Sequence, residues 1–176
     1  MTRSRVASLA LLGVAAAAGV AVAQGFVNVR ADLSGYNEVN TVSSAGTGAF
    51  RARIDDSNRQ ISWELSYEAL EGSVLQSHIH FGAPATNGGI SAFLCTNLPN
   101  VPAGTTVQAC PAAPATISGV ITPTDVIGPT VQGIAPGEFD ALVAAIRSGA
   151  AYANVHSSLW TGGEIRGQIA PGHTGH

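Results

Sequence analysis

From Phe26 onward, apolar and polar residues alternate with the period of an extended strand. Ile61, Trp63, Leu65 and Tyr67 interleave with Ser62, Glu64, Ser66 and Glu68, which predicts a strand with one buried and one wet face. Phe26, Val27, Val29 and Leu33 open another strand, and Ala49, Phe50, Ala52 and Ile54 mark a third that Asp55-Asp56-Ser57-Asn58 breaks. Further strands are predicted over Val74 to Phe81, Ile90 to Cys95, Thr116 to Thr122, Ala151 to His156 and Glu164 to Ile169. One helix is predicted over Pro136 to Ser148, because Phe139, Leu142, Val143 and Ile146 recur at helical spacing. Glu138 and Asp140 suit its first turn, Arg147 its last, and Gly149 a left-handed stop. Short strands separated by Gly, Pro and Asn turns predict a mainly β fold, a sandwich or barrel, with the helix packed across one end.

The first 23 residues break this pattern. Arg3 and Arg5 precede an uncharged apolar run from Val6 to Val20, and Ala21-Val22-Ala23 supplies the small residues of a cleavage site. Residues 1–23 therefore read as a secretory signal cut before Gln24; an uncleaved anchor would need the run to continue, and it is short for a membrane span. The remainder divides into a domain over residues 24–170 and a flexible His-containing tail over residues 171–176. No other stretch could span a bilayer. Without Arg3 and Arg5, six arginines face eleven carboxylates, a formal charge of −5 with His neutral. That balance argues against nucleic acid or anionic membrane as a partner.

Cys95 and Cys110 flank a segment rich in Pro, Gly, Asn and Thr. In an exported chain a disulfide closing a surface loop from Asn97 to Ala115 is expected; a thiolate nucleophile or ligand would require reduced cysteine outside the cytoplasm.

The sharpest chemical feature is His78-Ile79-His80, since residues two apart on a strand share a face. Both imidazoles then point one way while Ile79 turns to the core. His156 ends another strand, on the face of Tyr152 and Asn154. Three imidazoles with an open position would suit copper or zinc, whereas two alone would bind weakly. The structural alternative is that these histidines are hydrogen-bonded to Asn154 and the backbone. Near the end, Glu164, Arg166 and Gln168 share one strand face, and Arg166 is expected to pair bidentately with Glu38 or Glu164, or else to attract an anion. Gly82 to Gly89 reads as a turn into the next strand rather than a phosphate loop, and no nucleophile elbow or calcium-binding loop is present.

Four motifs in order resemble the CHRD family, named for chordin. They are Leu33-Ser34-Gly35-Tyr36-Asn37-Glu38-Val39, His78-Ile79-His80-Phe81-Gly82 with Asn87-Gly88, Gly149 to His156, and Gly163-Glu164-Ile165-Arg166-Gly167-Gln168-Ile169. The resemblance implies an extracellular β-sandwich module whose biochemical activity is poorly defined; no enzymatic role is expected, and the expected partner is an unidentified extracellular or periplasmic protein or surface. A looser similarity, through His78, His80 and Arg166, is to copper–zinc superoxide dismutase, which implies a Greek-key sandwich and a redox metal. The bridging histidine and the zinc-loop cluster of that family have no counterparts here. The expectation is a secreted or periplasmic Greek-key β-sandwich with one short helix, binding or structural in role, with a metal site at the histidines. A copper- or zinc-dependent oxidoreductase is the alternative.

Overall fold

A computed structural model describes residues 26–172; the expected signal and residues 173–176 of the expected tail lie outside them. Nine strands and one helix follow in the order β1 (Val27–Ser34), β2 (Thr47–Asp55), β3 (Gln60–Glu68), β4 (Val74–Phe81), β5 (Gly89–Thr96), β6 (Ala115–Ile121), α1 (Phe139–Arg147), β7 (Ala151–Ser157), β8 (Ile165–Gln168) and β9 (Ala170–Pro171). The strands form one antiparallel sheet of order β5-β4-β7-β8-β1-β2-β3-β6, with β9 also paired to β1. Strict alternation makes the β1–β2–β3 meander: along β3 the residues Ile61, Trp63, Leu65 and Tyr67 are buried while their neighbours face outward.

The sheet curls on itself. Phe50 of β2 and Leu65 of β3 share a core cluster with Ile79 of β4 and Val155 of β7, although these strands lie far apart in the sheet order. The expected sandwich thus takes the form of a nearly closed sheet whose two halves face each other. The free edges are β5 and β6, and the long loop after β5 seals the seam between them. The Gln108 side-chain amide donates to Leu94 O on β5 (3.3 Å) and to Ser118 O on β6 (3.1 Å), and Gln108 O accepts from the Thr96 N–H (2.9 Å). The Cys95–Cys110 disulfide anchors this strap, so neither cysteine is free.

Helix α1 buries Phe139, Leu142, Val143 and Ile146, the residues whose spacing predicts it, and packs against β7 and β9. Arg59–Asp140 (3.0 Å) and Arg147–Asp56 (2.6 Å) tie it to the β2–β3 turn; being exposed, each pair contributes at most about 1 kcal/mol. Gly149 takes the left-handed φ of +72° that stops the helix and turns the chain into β7. One expectation shifts at the C-terminal end: Pro171 pairs with Val29 and the Gly172 N–H donates to Asn28 O (2.8 Å), so the first residues of the expected flexible tail are held in the sheet. No helix among the described residues is long and apolar enough to cross a membrane.

Candidate metal centre

Strand register brings the histidines together. Strands β4 and β7 pair so that His78 lies opposite Asn154, His80 opposite Tyr152, and Gln76 opposite His156. Across β7, Asn154 lies opposite Arg166 and Tyr152 opposite Gln168. One sheet face therefore carries His78, His80, Tyr152, Asn154, His156 and Arg166, while Ile79 is fully buried on the other face. The β4–β5 register shifts at Ser77/His78 and at Ile79/His80, irregularities of the sort that re-aim side chains.

A strand pattern of alternation would leave this polar face wet, but the structure buries it. His78 is 0% exposed and His80 and His156 are each 7% exposed, and all of β7 is buried on both faces. The Phe93 ring packs edge-on against His78 at 4.4 Å, and the β4–β5 connection and the segment after β7 lie against the other rings.

Those two segments also orient the rings. The His80 Nδ1–H donates to Gly88 O (2.9 Å) and the His156 Nδ1–H donates to Thr161 O (2.9 Å), so each ring presents Nε2 as a lone pair. Nε2 of His80 is buried without a hydrogen-bond partner, as is Nε2 of His78. Nε2 of His156 lies 3.3 Å from His78 Nδ1 and accepts from the Asn154 amide at 2.9 Å. One nitrogen from each of the three rings lies within 4.8 Å of the other two. Burial, reinforced by the other two imidazoles, holds the His78 pKa down to about 2. Burial likewise brings His80 to about 4 and lowers His156. All three are neutral at physiological pH, and neutral imidazole is the form that ligates metal.

The residues fit a copper or zinc ion. Two rings have their tautomer fixed by backbone acceptors, the pattern that supports metal-bound imidazole, and buried ring nitrogens are left unsatisfied. At ligand distances of about 2.1 Å, nitrogens sharing an ion stand roughly 3.3–3.6 Å apart, so an ion held by all three rings would require a pair 4.8 Å apart to close by about 1 Å. The hydrogen bonds that the structural alternative expects are present too, from Asn154 and from two backbone carbonyls.

The expected pairing of Arg166 with Glu38 or Glu164 does not occur. Arg166 is 2% exposed and donates to Thr86 O (2.6 Å) and Asn87 Oδ1 (3.4 Å). Its guanidinium lies 3.5 Å over the Tyr152 ring, which itself stacks on His80 at 4.7 Å. Glu164 is engaged elsewhere, its Oε1 accepting from Ser44 Oγ (2.7 Å) and from the Glu71 N–H (2.6 Å). Glu38 is buried, and burial pushes its carboxyl up to about 7, partly offset by the Arg166 charge. Among the described residues the ion pairs are the two exposed ones at α1.

Sequence reasoning missed Phe93, Thr161 and the Thr86–Gly88 contacts. Backbone carbonyls carry no side-chain signal, and the β4–β5 connection, read as a hairpin turn, is also the lid over His80. Gly88 is required there, since a Cβ would overlap the Phe81 carbonyl. Compared with known proteins, the chain matches the family model described as the CHRD domain over residues 29–169. No curated protein and no solved structure matches it.

Proposed function

This chain belongs to the CHRD domain family, and from that premise we propose that it is an exported, non-catalytic module holding one copper or zinc ion between His78, His80 and His156. The observation that carries this reading is the convergence of one nitrogen from each ring within 4.8 Å, with the His80 and His156 tautomers fixed by backbone carbonyls. Burial and the depressed imidazole basicity favour it further, because protons do not compete for the lone pairs. The Cys95–Cys110 disulfide and the signal-like residues 1–23 support a place outside the cytoplasm, where the partner is an extracellular or periplasmic protein or surface.

A second reading, an oxidoreductase of the superoxide dismutase type, is favoured by Arg166, whose positive charge reaches the cluster through the Tyr152 ring that stacks on His80. Bound copper would supply one-electron redox chemistry. The chain's own residues position the rings, exclude water and hold the imidazoles neutral.

The test is metal content and copper or zinc affinity of the untagged protein beside His80→Ala. One ion per chain, lost in the variant, is expected; absence of stoichiometric binding refutes both readings. Superoxide turnover by the loaded protein would establish the second reading over the first.

A further inference from the structure

A crevice of about 540 Å³ lies beside Arg166, within the size range of small-molecule sites. The one-turn helix Gly35–Asn37 and the residues after it form one wall, and Pro84, Ala85 and Arg166 form the other. None of the three histidines lines it, so a ligand here would touch none of the three rings.

Two opposite charges line this crevice without pairing. Arg166 commits two hydrogen bonds, to Thr86 and Asn87, of the five N–H donors its guanidinium offers. Glu38 is 7% exposed, and its Oε1 is buried with no hydrogen-bond partner. The two form no ion pair, although the Arg166 charge partly offsets the burial that raises the Glu38 carboxyl. Leaving buried charges apart costs several kcal/mol that a direct pair would partly offset. Space for Glu38 is reserved by Gly163, where the backbone has φ +132° and a Cβ would overlap the Glu38 carboxylate.

We infer that this crevice binds a small zwitterion, a free α-amino acid, with its carboxylate on Arg166 and its ammonium on Glu38. The planar guanidinium matches a carboxylate in bidentate fashion, and the Glu38 side chain, which lines the facing wall, forms no ion pair among the described residues. A simple anion would leave Glu38 unanswered and be repelled by it; a simple cation would meet Arg166. A ligand with both charges a few bonds apart answers both. Tyr36, 67% exposed at the rim, offers an aromatic surface to the side chain.

The test is ligand-detected saturation-transfer NMR on the purified protein with the twenty standard amino acids, followed by calorimetry of those that respond. At least one amino acid is expected to bind, and its deaminated analogue, which keeps the carboxylate, to bind more weakly. Glu38→Gln, close in shape, is expected to lower amino-acid affinity about tenfold or more, the loss of a charged hydrogen bond, while strengthening binding of the analogue, whose repulsion by Glu38 it removes. Gly163→Ala, which displaces the same carboxylate without removing it, is expected to act alike. No saturation transfer from any amino acid at about 10 mM would overturn the proposal, as would Glu38→Gln binding as tightly as the parent. Neither result bears on metal binding at the histidines.

Discussion

Replacing Glu38 with Gln should stabilise this protein, and only at high pH. The Glu38 carboxyl has an ordinary pKa of 4.5 and is pushed up to about 7 by burial in the fold. A group raised on folding contributes stability that is fully present below its unfolded value and is lost as pH rises through its folded value. The loss here falls between pH 4.5 and about 7. At about 1.4 kcal/mol per pH unit it amounts to about 3 kcal/mol by pH 8. The Gln side chain is close in shape and carries no charge to desolvate. Urea denaturation of both proteins at pH 4.5 and pH 8 measures the effect. Taking the difference between them cancels the titration of every other group. Equal stability at the lower pH and a gain of about 2–3 kcal/mol at the higher are expected. A difference that does not grow with pH would show that the carboxyl is not desolvated as described, and would remove the buried charge from the Arg166 crevice.

The metal-free protein is expected to unfold in mild acid, followed by circular dichroism. His78, His80 and His156 are held neutral in the fold, so the unfolded chain takes up protons below pH 6.5 that the folded chain refuses, and stability falls as pH drops from 6.5 toward 4. Three such groups outweigh the opposite contribution of Glu38; a metal-free protein fully folded at pH 4 would contradict this. Reducing the Cys95–Cys110 bond, which closes a sequence separation of 15, should cost about 3 kcal/mol in urea titrations and free the strap over the β5–β6 seam. Gly88→Ala should shift the carbonyl that orients His80 and weaken copper or zinc binding by about 10–100-fold in competition with a chelator, a loss typical of ligand-orienting contacts.

Much of the fold is legible in the residues because strict alternation needs only one wet face. Ile61 to Tyr67 of β3 and the Phe139–Ile146 stripe of α1 stand where their periods place them. Period-two reasoning places Tyr152, Asn154 and His156 of β7 on one face but does not reveal that this polar face is buried. The cover comes from loops, and a loop that folds over a strand leaves no periodic mark on it. The His78–His80 pair is visible as a pair from strand geometry alone, but its approach to His156 depends on β4 and β7 being neighbours, a long-range pairing no local pattern encodes. The partner of Arg166 was misread for the same reason. Glu164 is near in sequence and faces the same way, yet Ser44 and Glu71, distant in the chain, occupy it, while Thr86 and Tyr152 surround the guanidinium.

The central claim is that three imidazoles share one ion. X-ray absorption at the zinc or copper edge of the loaded protein tests it directly, with His156→Ala as the comparison. Three imidazole nitrogens at about 2.0 Å in the parent, falling to two in the variant, are expected. An ion coordinated mainly by oxygen, or a spectrum unchanged by His156→Ala, would contradict the account.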